Sequence, residues 1–375
     1  MREVFIAGGG MVPVGKYAEG TGRSVAREAA VAALEDAGCT YADIDAFIAG
    51  SAHPTSPRAA FVAKQLGLTG IPVQQVINAS ASGSSAIHSA IMAVESGRHD
   101  LVLVVGYDVP DRAENSLAAQ GYQPPVTLFA QWAMRRMHDA GTKPEHLAMI
   151  AAKNWNYARS NRFAARQSDH EVTVEEVLSS KVVAAPLTAM MSTPWCLGAA
   201  AVIVASSEGL AKLQTGRRTV AKVRASEFQS EQYEDYHIFD GAITGPASMT
   251  RSTADAAYLS SGLKPAEVDV VQVHDAFAIE ELVYMELLGF SLPGETEGLV
   301  EQGAFGPGSR KAFGLPEFST DGGLIARGHP GGPTGVLQVV ETLRRFRETD
   351  DRIGLCHMLG AGSVCTVQIF EKFDA

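Results

Sequence analysis

Short apolar runs alternate along the chain with longer segments in which apolar residues recur every three or four positions. The short runs have the length of strands, and the longer periodic segments are typical of helices that bury one face. This alternation predicts an α/β fold in which helices flank β-sheets. The predicted strands are 3–7, 73–77, 101–105, 198–206, 268–273 and 353–355, and the predicted helices are 82–96, 128–140, 144–158 and 331–347.

Two stretches of the chain repeat one pattern. Residues 32–45 and 256–269 each predict a helix that stops at a glycine, then a short acidic loop and a strand. A glycine-rich turn and a helix follow later in each half. A period this long is foreign to solenoid repeats, so it indicates two copies of one α/β unit.

The stretch 112–186 interrupts the alternation and predicts an inserted cap or loop region. We therefore expect an N-terminal half formed by 1–111 plus 187–216 and a C-terminal half formed by 217–375. The Arg-rich stretch 159–166 is expected to be solvated, and 227–247 is expected to be a loop. The glycines that follow the first strand at 8–10 lack a nucleotide-binding spacing and predict a tight turn.

Composition narrows the class of protein. The chain of 375 residues is 46% hydrophobic and 19% charged, which fits a soluble globular protein, and no apolar run is long enough to span a bilayer. The net charge of −11 and the lack of a long basic run argue against nucleic acid as a partner. The four cysteines have no CxxC spacing, so neither a zinc site nor a disulfide framework is indicated, and we expect a reducing cytoplasm.

The segment 323–335 carries the first candidate chemistry. His329 stands there among five glycines and two prolines, directly before a predicted helix. Glycine and proline restrict the backbone to defined shapes, so this histidine is held in place. Taken alone, the segment is equally well explained as a structural loop at a helix start.

Three other segments place small or reactive residues where a predicted strand ends, which is where function concentrates in α/β folds. They are 78–86, which contains Ser80 and Ser82; 273–277, which contains His274 and Asp275; and 355–362.

The order of these four segments resembles that of the thiolase superfamily, specifically the thiolases of the sterol-carrier-protein and lipid-transfer type. The pair of motifs His274-Asp275-Ala276-Phe277 and Gly328-His329-Pro330 carries the resemblance, which covers nearly the whole chain. The resemblance implies a five-layered αβαβα fold, built from two duplicated βαβαβαββ halves with an inserted cap region. It also implies a homodimer that acts on an acyl-CoA thioester through an acyl-enzyme, with coenzyme A as substrate and no tightly bound cofactor.

Ser80 is the main departure, because the family has a nucleophilic cysteine at this helix start. A hydroxyl is a much weaker nucleophile than a thiol. Three interpretations stay open: an engineered Cys→Ser replacement, a native serine in a branch that performs aldol-type cleavage without an acyl-enzyme, and a subunit that binds acyl-CoA without catalysis.

The resemblance also assigns roles to the other positions. His329 would be the general base toward position 80, and His274 would donate to the enolate oxygen or orient a water. Cys356, in a glycine-rich loop, would be the second acid/base, with His357 as an alternative and a packed core cysteine as the plain explanation. The expected supporting residues are Ser82, Asp275, Gly328, Met358 and Gly360, and Cys39, Cys196 and Cys365 are expected to be core residues.

The leading functional hypothesis is therefore a thiolase-type acyl-CoA C-acyltransferase acting on a β-ketoacyl-CoA. The alternatives are a thiolase-like retro-aldolase and a non-catalytic acyl-CoA-binding subunit. Relatives of the lipid-transfer type often pair with a small partner that has an OB-fold and a zinc ribbon, so such a partner is also expected.

Overall fold

A computed structural model describes residues 2–110, 125–213, 219–232, 247–361 and 364–375. Its strands are β1 Val4–Met11, β2 Ala46–Gly50, β3 Val73–Val76, β4 Leu101–Asp108, β5 Val182–Ala184, β6 Leu187–Thr188, β7 Gly198–Ser206, β8 Thr219–Ser230, β9 Val270–Gln272, β10 Glu317–Phe318, β11 Ile353–Gly360 and β12 Val364–Asp374. Its α-helices are α1 Gly22–Ala37, α2 Ala59–Ala63, α3 Ser82–Glu95, α4 Pro125–Ala140, α5 Pro144–Ala158, α6 Val174–Ser179, α7 Ser207–Lys212, α8 Ala247–Ser261, α9 Ala278–Leu287, α10 Thr296–Glu301, α11 Ser309–Phe313 and α12 Thr334–Glu348.

The chain divides into two compact units. The first unit comprises Met1–Ala113, Leu197–Leu263 and Pro330–Ala375, and the second comprises Glu114–Cys196 and Lys264–His329. The domain boundaries expected from the sequence stay a prediction.

The first unit is built on a sheet whose strands follow the order β11-β12-β8-β1-β7-β4-β2-β3. The antiparallel run β8-β12-β11 repeats the antiparallel run β1-β7-β4, as a duplication requires. Strand β7 is buried along its whole length. This explains its continuous apolar sequence, because a strand covered on both faces needs no polar side.

Helices cover both faces of this sheet. The small residues of α1, including Ala29 and Ala33, are fully buried against one face. On the other face, α3 and α12 lie so close together that a Cβ at Gly335 would stand 2.7 Å from the Ser84 backbone nitrogen. The predicted α/β class is confirmed.

The second unit surrounds a short parallel pair, β9 and β10, with helices. Helix α5 packs on α6 and α9 and also on a single π-helical turn, Gly323–Arg327. The predicted helix 144–158 is confirmed as α5, and the predicted helix 128–140 begins three residues earlier, at the proline that opens α4.

Three local predictions are wrong. Residues 8–10 continue strand β1 and form no tight turn. Positions 356–360 are the end of strand β11, where a glycine-rich loop was expected. Of the predicted loop 227–247, residues 227–230 extend β8, and 233–246 lie outside the described residues. In the part of the chain that the structure describes, no helix has both the length and the apolar character needed to cross a membrane.

Candidate active site

Ser80 lies in a tight turn between β3 and α3, in the first unit. Ala79 adopts a left-handed backbone conformation with φ of 46°. The Ser82 hydroxyl accepts the Asn78 N–H at 2.9 Å and donates to the Ala79 carbonyl at 2.6 Å, which closes the turn. Ser80 is half-buried and stands two residues before the helix begins. The amides at a helix start stabilise negative charge, so this position suits a group that becomes anionic.

Gly360 ends strand β11 against the same turn. A Cβ at this position would overlap the carbonyl oxygen of Asn78, so only glycine permits the approach. Positions 356, 358 and 360 share one face of the strand. The side chain on that face next to the turn is therefore Met358, which carries no transferable proton.

Cys356 lies further along the strand. Four residues at about 3.3 Å each separate it from Gly360 by about 13 Å. Its Sγ is 3.3 Å from the Thr342 hydroxyl on α12, inside the first unit. His357 faces the opposite side of the sheet, with Nε2 3.5 Å from the Thr250 hydroxyl of α8.

In the second unit, the two candidate histidines are in contact. The ring centroids of His274 and His329 are 4.9 Å apart and the planes are nearly perpendicular, at 87°. His274 follows strand β9. His329 follows the π-helical turn through Gly328, whose φ of 110° is accessible mainly to glycine. The sequence placed these residues 55 positions apart, and the fold packs their rings together.

His274 is anchored on one side only. Its Nδ1 is 2.8 Å from the Glu280 Oε1 of α9, and both side chains are buried. Its Nε2 is also buried, and among the described residues it has no hydrogen-bond partner. A buried polar atom without a partner is costly, so this nitrogen is a natural contact for a bound ligand.

The electrostatics of His329 favour a neutral imidazole. Burial, together with positive charge on His274 and on the guanidinium of Arg327, holds the pKa of His329 well below its usual value. A neutral imidazole at physiological pH can accept a proton. The expected general-base role is compatible with this state.

Cys196 is a residue whose position the sequence did not reveal. It was expected to be a core residue, and it is buried, but its Sγ also accepts the His329 backbone N–H at 3.1 Å. Burial raises the pKa of Cys196 to about 11, so it is a thiol at neutral pH. The thiol thus holds the backbone of the His329 loop.

Asp275 organises the loop that leads to His329. It is fully buried and accepts hydrogen bonds from the Leu324 N–H at 2.8 Å, the Asn154 amide at 2.8 Å and the Ser319 hydroxyl at 3.1 Å. A Cβ at Gly323 would overlap its Oδ2. Its position supports the expected loop-holding role, which stays a prediction.

Charged neighbours surround this aspartate. Burial, followed by the negative charges of Glu281 and Asp321, raises the pKa of Asp275 well above its usual range. Glu281 is fully buried and pairs with Lys153 at 2.7 Å, and Arg327, fully buried too, pairs with Asp321 at 2.5 Å. The sequence offers a signal for only part of this cluster, because Lys153 and Glu281 are charged residues on the largely buried helices α5 and α9.

Arg166 differs from the sequence expectation of a solvated basic stretch. Its guanidinium donates to the backbone carbonyls of Ser192 at 2.7 Å, Ala189 at 3.2 Å and Ile325 at 3.3 Å. It thereby ties the π-helical turn to residues 189–192.

The candidate residues fall into the two units. Ser80, Ser82, Cys356, Met358 and Gly360 belong to the first, and His274, Asp275, Gly328 and His329 belong to the second. The expected meeting of these side chains around one thioester stays a prediction. Among the described residues, no group of three or more His, Cys, Asp or Glu side chains is arranged to hold a metal ion.

Comparisons with known proteins add to this geometry. The family model described as "Thiolase, N-terminal domain" matches residues 4–118, and the family model described as "Thiolase C-terminal domain-like" matches residues 231–363. An acetyl-CoA acetyltransferase of Methanothermobacter thermautotrophicus is 34% identical over 99% of this chain and 100% of its own. The benzoylsuccinyl-CoA thiolase subunit BbsB of Thauera aromatica is 31% identical over 96% of this chain and 95% of its own. A solved structure named "Ltp2-ChsH2(DUF35) aldolase" has a similar fold, with a TM-score of 0.81 at 22% identity, over 98% of this chain and 97% of that one.

Proposed function

The chain belongs to the thiolase superfamily, and on that premise we propose that it is an acyl-CoA C-acyltransferase that forms or cleaves the carbon–carbon bond of a β-ketoacyl-CoA. The reaction proceeds through an acyl-enzyme on Ser80. The full-length similarity to an acetyl-CoA acetyltransferase supports the class of reaction. The contact between His274 and His329, with one buried imidazole nitrogen unpartnered, is the observation that carries the proposal.

In the cleavage direction, the Ser80 oxygen attacks the β-keto carbon as its proton passes to a base. The bond between the α- and β-carbons then breaks, and its electron pair stays on the α-carbon, which takes a proton to leave a shortened acyl-CoA. The thiol of a second coenzyme A displaces the acyl group from Ser80. Coenzyme A is thus substrate and product, and the scheme needs no tightly bound cofactor.

The two units supply different parts of this chemistry. The amides at the start of α3 stabilise the negative charge that develops on the former keto oxygen when Ser80 attacks. Neutral His329 is the general base that the scheme requires, because its depressed pKa keeps the imidazole unprotonated. His274 donates a hydrogen bond to the enolate that forms when the carbon–carbon bond breaks.

The assembly that goes with this activity is also a proposal. We expect a homodimer, and a small partner with an OB-fold and a zinc ribbon. The name of the similar solved structure includes a DUF35 protein, which supports looking for such a partner here.

The test uses three forms of the protein: wild type, Ser80→Ala and Ser80→Cys. Each is incubated with coenzyme A and a series of β-ketoacyl-CoA esters, and the acyl-CoA products and any acylated protein are followed by mass spectrometry. We expect an acyl adduct at Ser80 in the wild type, loss of turnover by about 10³-fold or more in Ser80→Ala, which corresponds to about 4 kcal/mol, and faster turnover in Ser80→Cys. Unchanged melting of Ser80→Ala is the control for folding.

Two results would overturn the proposal. Release of an aldehyde or ketone from a β-hydroxyacyl-CoA without any adduct at Ser80 would indicate aldol-type cleavage. Binding of acyl-CoA esters with no turnover in the wild type or in Ser80→Cys would indicate a binding subunit.

A further inference from the structure

We propose that His274 and Glu280 form a buried imidazole–carboxylate pair that transfers the α-proton of the CoA ester. His274 is the acid/base in contact with substrate, and Glu280 is the positioning residue that orients it. The inference rests on the proposed function and deepens it, because it assigns the proton that the carbon–carbon bond chemistry must move.

The geometry fixes the imidazole in one orientation. Glu280 Oε1 faces His274 Nδ1 at 2.8 Å, and the same carboxylate accepts the Phe277 N–H at 3.0 Å and the Tyr284 hydroxyl at 3.3 Å. With Nδ1–H donating to the carboxylate, the lone pair of His274 lies on Nε2. That nitrogen is buried and has no partner among the described residues.

The Glu280 carboxylate lies where it can stabilise an imidazolium that forms on His274. Burial raises the pKa of Glu280, because an isolated carboxylate is poorly solvated inside the protein. A proton on His274 converts this buried negative charge into a neutral ion pair, so the carboxylate makes the imidazole a better base. Among the described residues, the titratable groups in contact with the pair are Tyr284 from α9 and His329 from the loop before α12.

The two histidines in contact thus have different surroundings: a carboxylate faces His274, and the positive charge of Arg327 acts on His329. Environments that separate the proton affinities of neighbouring groups define which acts as acid and which as base. In this assignment His329 takes the Ser80 proton, and His274 moves the α-proton.

The cysteines offer no better carrier in the second unit. Position 276 is alanine, and the Cys196 thiol, with its pKa raised to about 11, is engaged with the His329 backbone. In the first unit, Met358 on β11 has no proton to give. A proton carrier supported by Glu280 accounts for chemistry without a second catalytic cysteine.

The step balances without a co-reactant. In the direction of carbon–carbon bond formation, the Cα–H bond breaks and the proton goes to Nε2 of His274. The electron pair delocalises onto the thioester oxygen as an enolate. In the cleavage direction Nε2 returns the proton to the α-carbon. Exchange of the Nε2 proton with solvent deuterium between the two events labels the α-carbon.

The experiment measures the rate of α-deuterium incorporation into acetyl-CoA in D₂O as a function of pH. Glu280→Gln is the test variant. The amide oxygen continues to accept the Phe277 N–H, so its NH₂ group faces Nδ1 and the imidazole proton moves to Nε2. We expect the exchange rate to fall about tenfold to a hundredfold, which is part of the effect of about 10²- to 10⁴-fold that a positioned proton-transfer group has. The rate falls at low pH as the base becomes protonated, and we expect this acidic limb of the pH–rate profile to move to lower pH by about 1 unit or more.

Glu286→Gln is the matched control. It makes the same chemical change on the same helix, at a mostly buried carboxylate that pairs with Arg136. We expect its exchange rate and pH profile to stay within about twofold of wild type, because Glu286 stands six residues further along α9, about 9 Å from position 280, and its carboxylate pairs with Arg136. Melting temperatures report folding for every variant.

A double-mutant cycle separates positioning from general structural support. In a His274→Asn background, Glu280→Gln should have no further effect on exchange, because the carboxylate acts through the imidazole. Equal and additive losses from the two changes would refute the pairing.

If Glu280→Gln does not fold, Tyr284→Phe replaces it. Loss of a hydrogen bond to the carboxylate should move the acidic limb of the profile to higher pH, and an unmoved limb refutes the proposal.

The two proposals fail differently. A wild-type protein that binds acyl-CoA but shows neither exchange nor cleavage contradicts the proposed function. A wild type that cleaves β-ketoacyl-CoA normally, with Glu280→Gln exchanging at the wild-type rate and pH, contradicts the role of the pair alone.

Discussion

Each unit has a fully buried aspartate that gathers loops around it, and the two aspartates are held in different ways. Asp108, at the end of β4, is surrounded by neutral donors: the backbone N–H groups of Ala52, His53 and Gly332 and the hydroxyls of Ser51 and Ser56. Asp275, which follows β9, accepts from one backbone donor among the described residues, the Leu324 N–H, and stands near the carboxylates of Glu281 and Asp321. The first aspartate is held by peptide geometry and the second by a balance of charge.

The difference bears on how each unit responds to change. Backbone donors keep their positions when a side chain is replaced, whereas a side-chain hydroxyl such as that of Ser319, which donates to Asp275 Oδ2 at 3.1 Å, can rotate and accept a hydrogen bond instead. The second unit should therefore tolerate loss of its buried charge better than the first.

The largest effect is expected where a glycine touches the aspartate. In Gly323→Ala the new Cβ overlaps Asp275 Oδ2, and the φ of 56° is unfavourable for alanine, so we expect a loss of about 3 kcal/mol or more of unfolding free energy. In Gly332→Ala the Cβ stands 2.8 Å from Asp108 Oδ2, and we expect a loss of about 2 kcal/mol. Urea unfolding of both variants measures the difference, and a larger loss for Gly332→Ala would reverse the comparison.

The variants Asp108→Asn and Asp275→Asn test directly how the hydrogen-bond donors around each aspartate respond to the loss of its carboxylate. Asp108→Asn turns an NH₂ group toward backbone N–H donors that cannot move away, so we expect a loss of about 1–3 kcal/mol at neutral pH. Asp275→Asn keeps an oxygen for the Leu324 N–H, and the Ser319 hydroxyl can rotate to accept from the new amide, so we expect a smaller loss, of about 1 kcal/mol. Equal losses from chemical denaturation would show that both sites depend on the charge alike.

The remaining expected effect concerns pH. Burial raises the pKa of Asp108 and of Asp275, the latter further because carboxylates lie nearby. A raised folded pKa means that the native state keeps a proton that the unfolded chain has lost, so each aspartate makes stability fall as pH rises from about 3.9 toward its folded value. Relative to wild type, each Asn variant should gain stability over this window, by about 1.4 kcal/mol per unit of pKa difference, and Asp275→Asn should gain more. A series of unfolding curves from pH 4 to 7 checks the order, and a flat difference for both variants would contradict it.

Much of the architecture followed from local sequence patterns. The duplication was predicted from 32–45 and 256–269, and in both copies the helix ends at a left-handed glycine, Gly38 with φ of 69° and Gly262 with φ of 71°. Local signals of this kind are written in consecutive residues. Strand β11 was underestimated because glycine at its end predicts a loop, whereas here the glycine permits a close approach to the turn before α3.

The contacts of the candidate site were less predictable. The motif with His274 indicated a functional histidine, but its contact with Glu280 depends on the direction in which α9 leaves strand β9. Cys196 lies 133 positions from His329 in sequence, and its contact with the His329 backbone has no signature in the chain. Arg166 looked like one member of a solvated basic stretch, and only the fold reveals the three carbonyls around its guanidinium.

The placement of strand β12 has a consequence for biosynthesis. This strand pairs with β11 on one side and, over eleven residues, with β8 on the other. The first unit therefore cannot complete its sheet until residue 374 has emerged from the ribosome, although its opening strands are translated first. Unpaired edges of β8 and β11 stay available to chaperones or to neighbouring nascent chains during that interval.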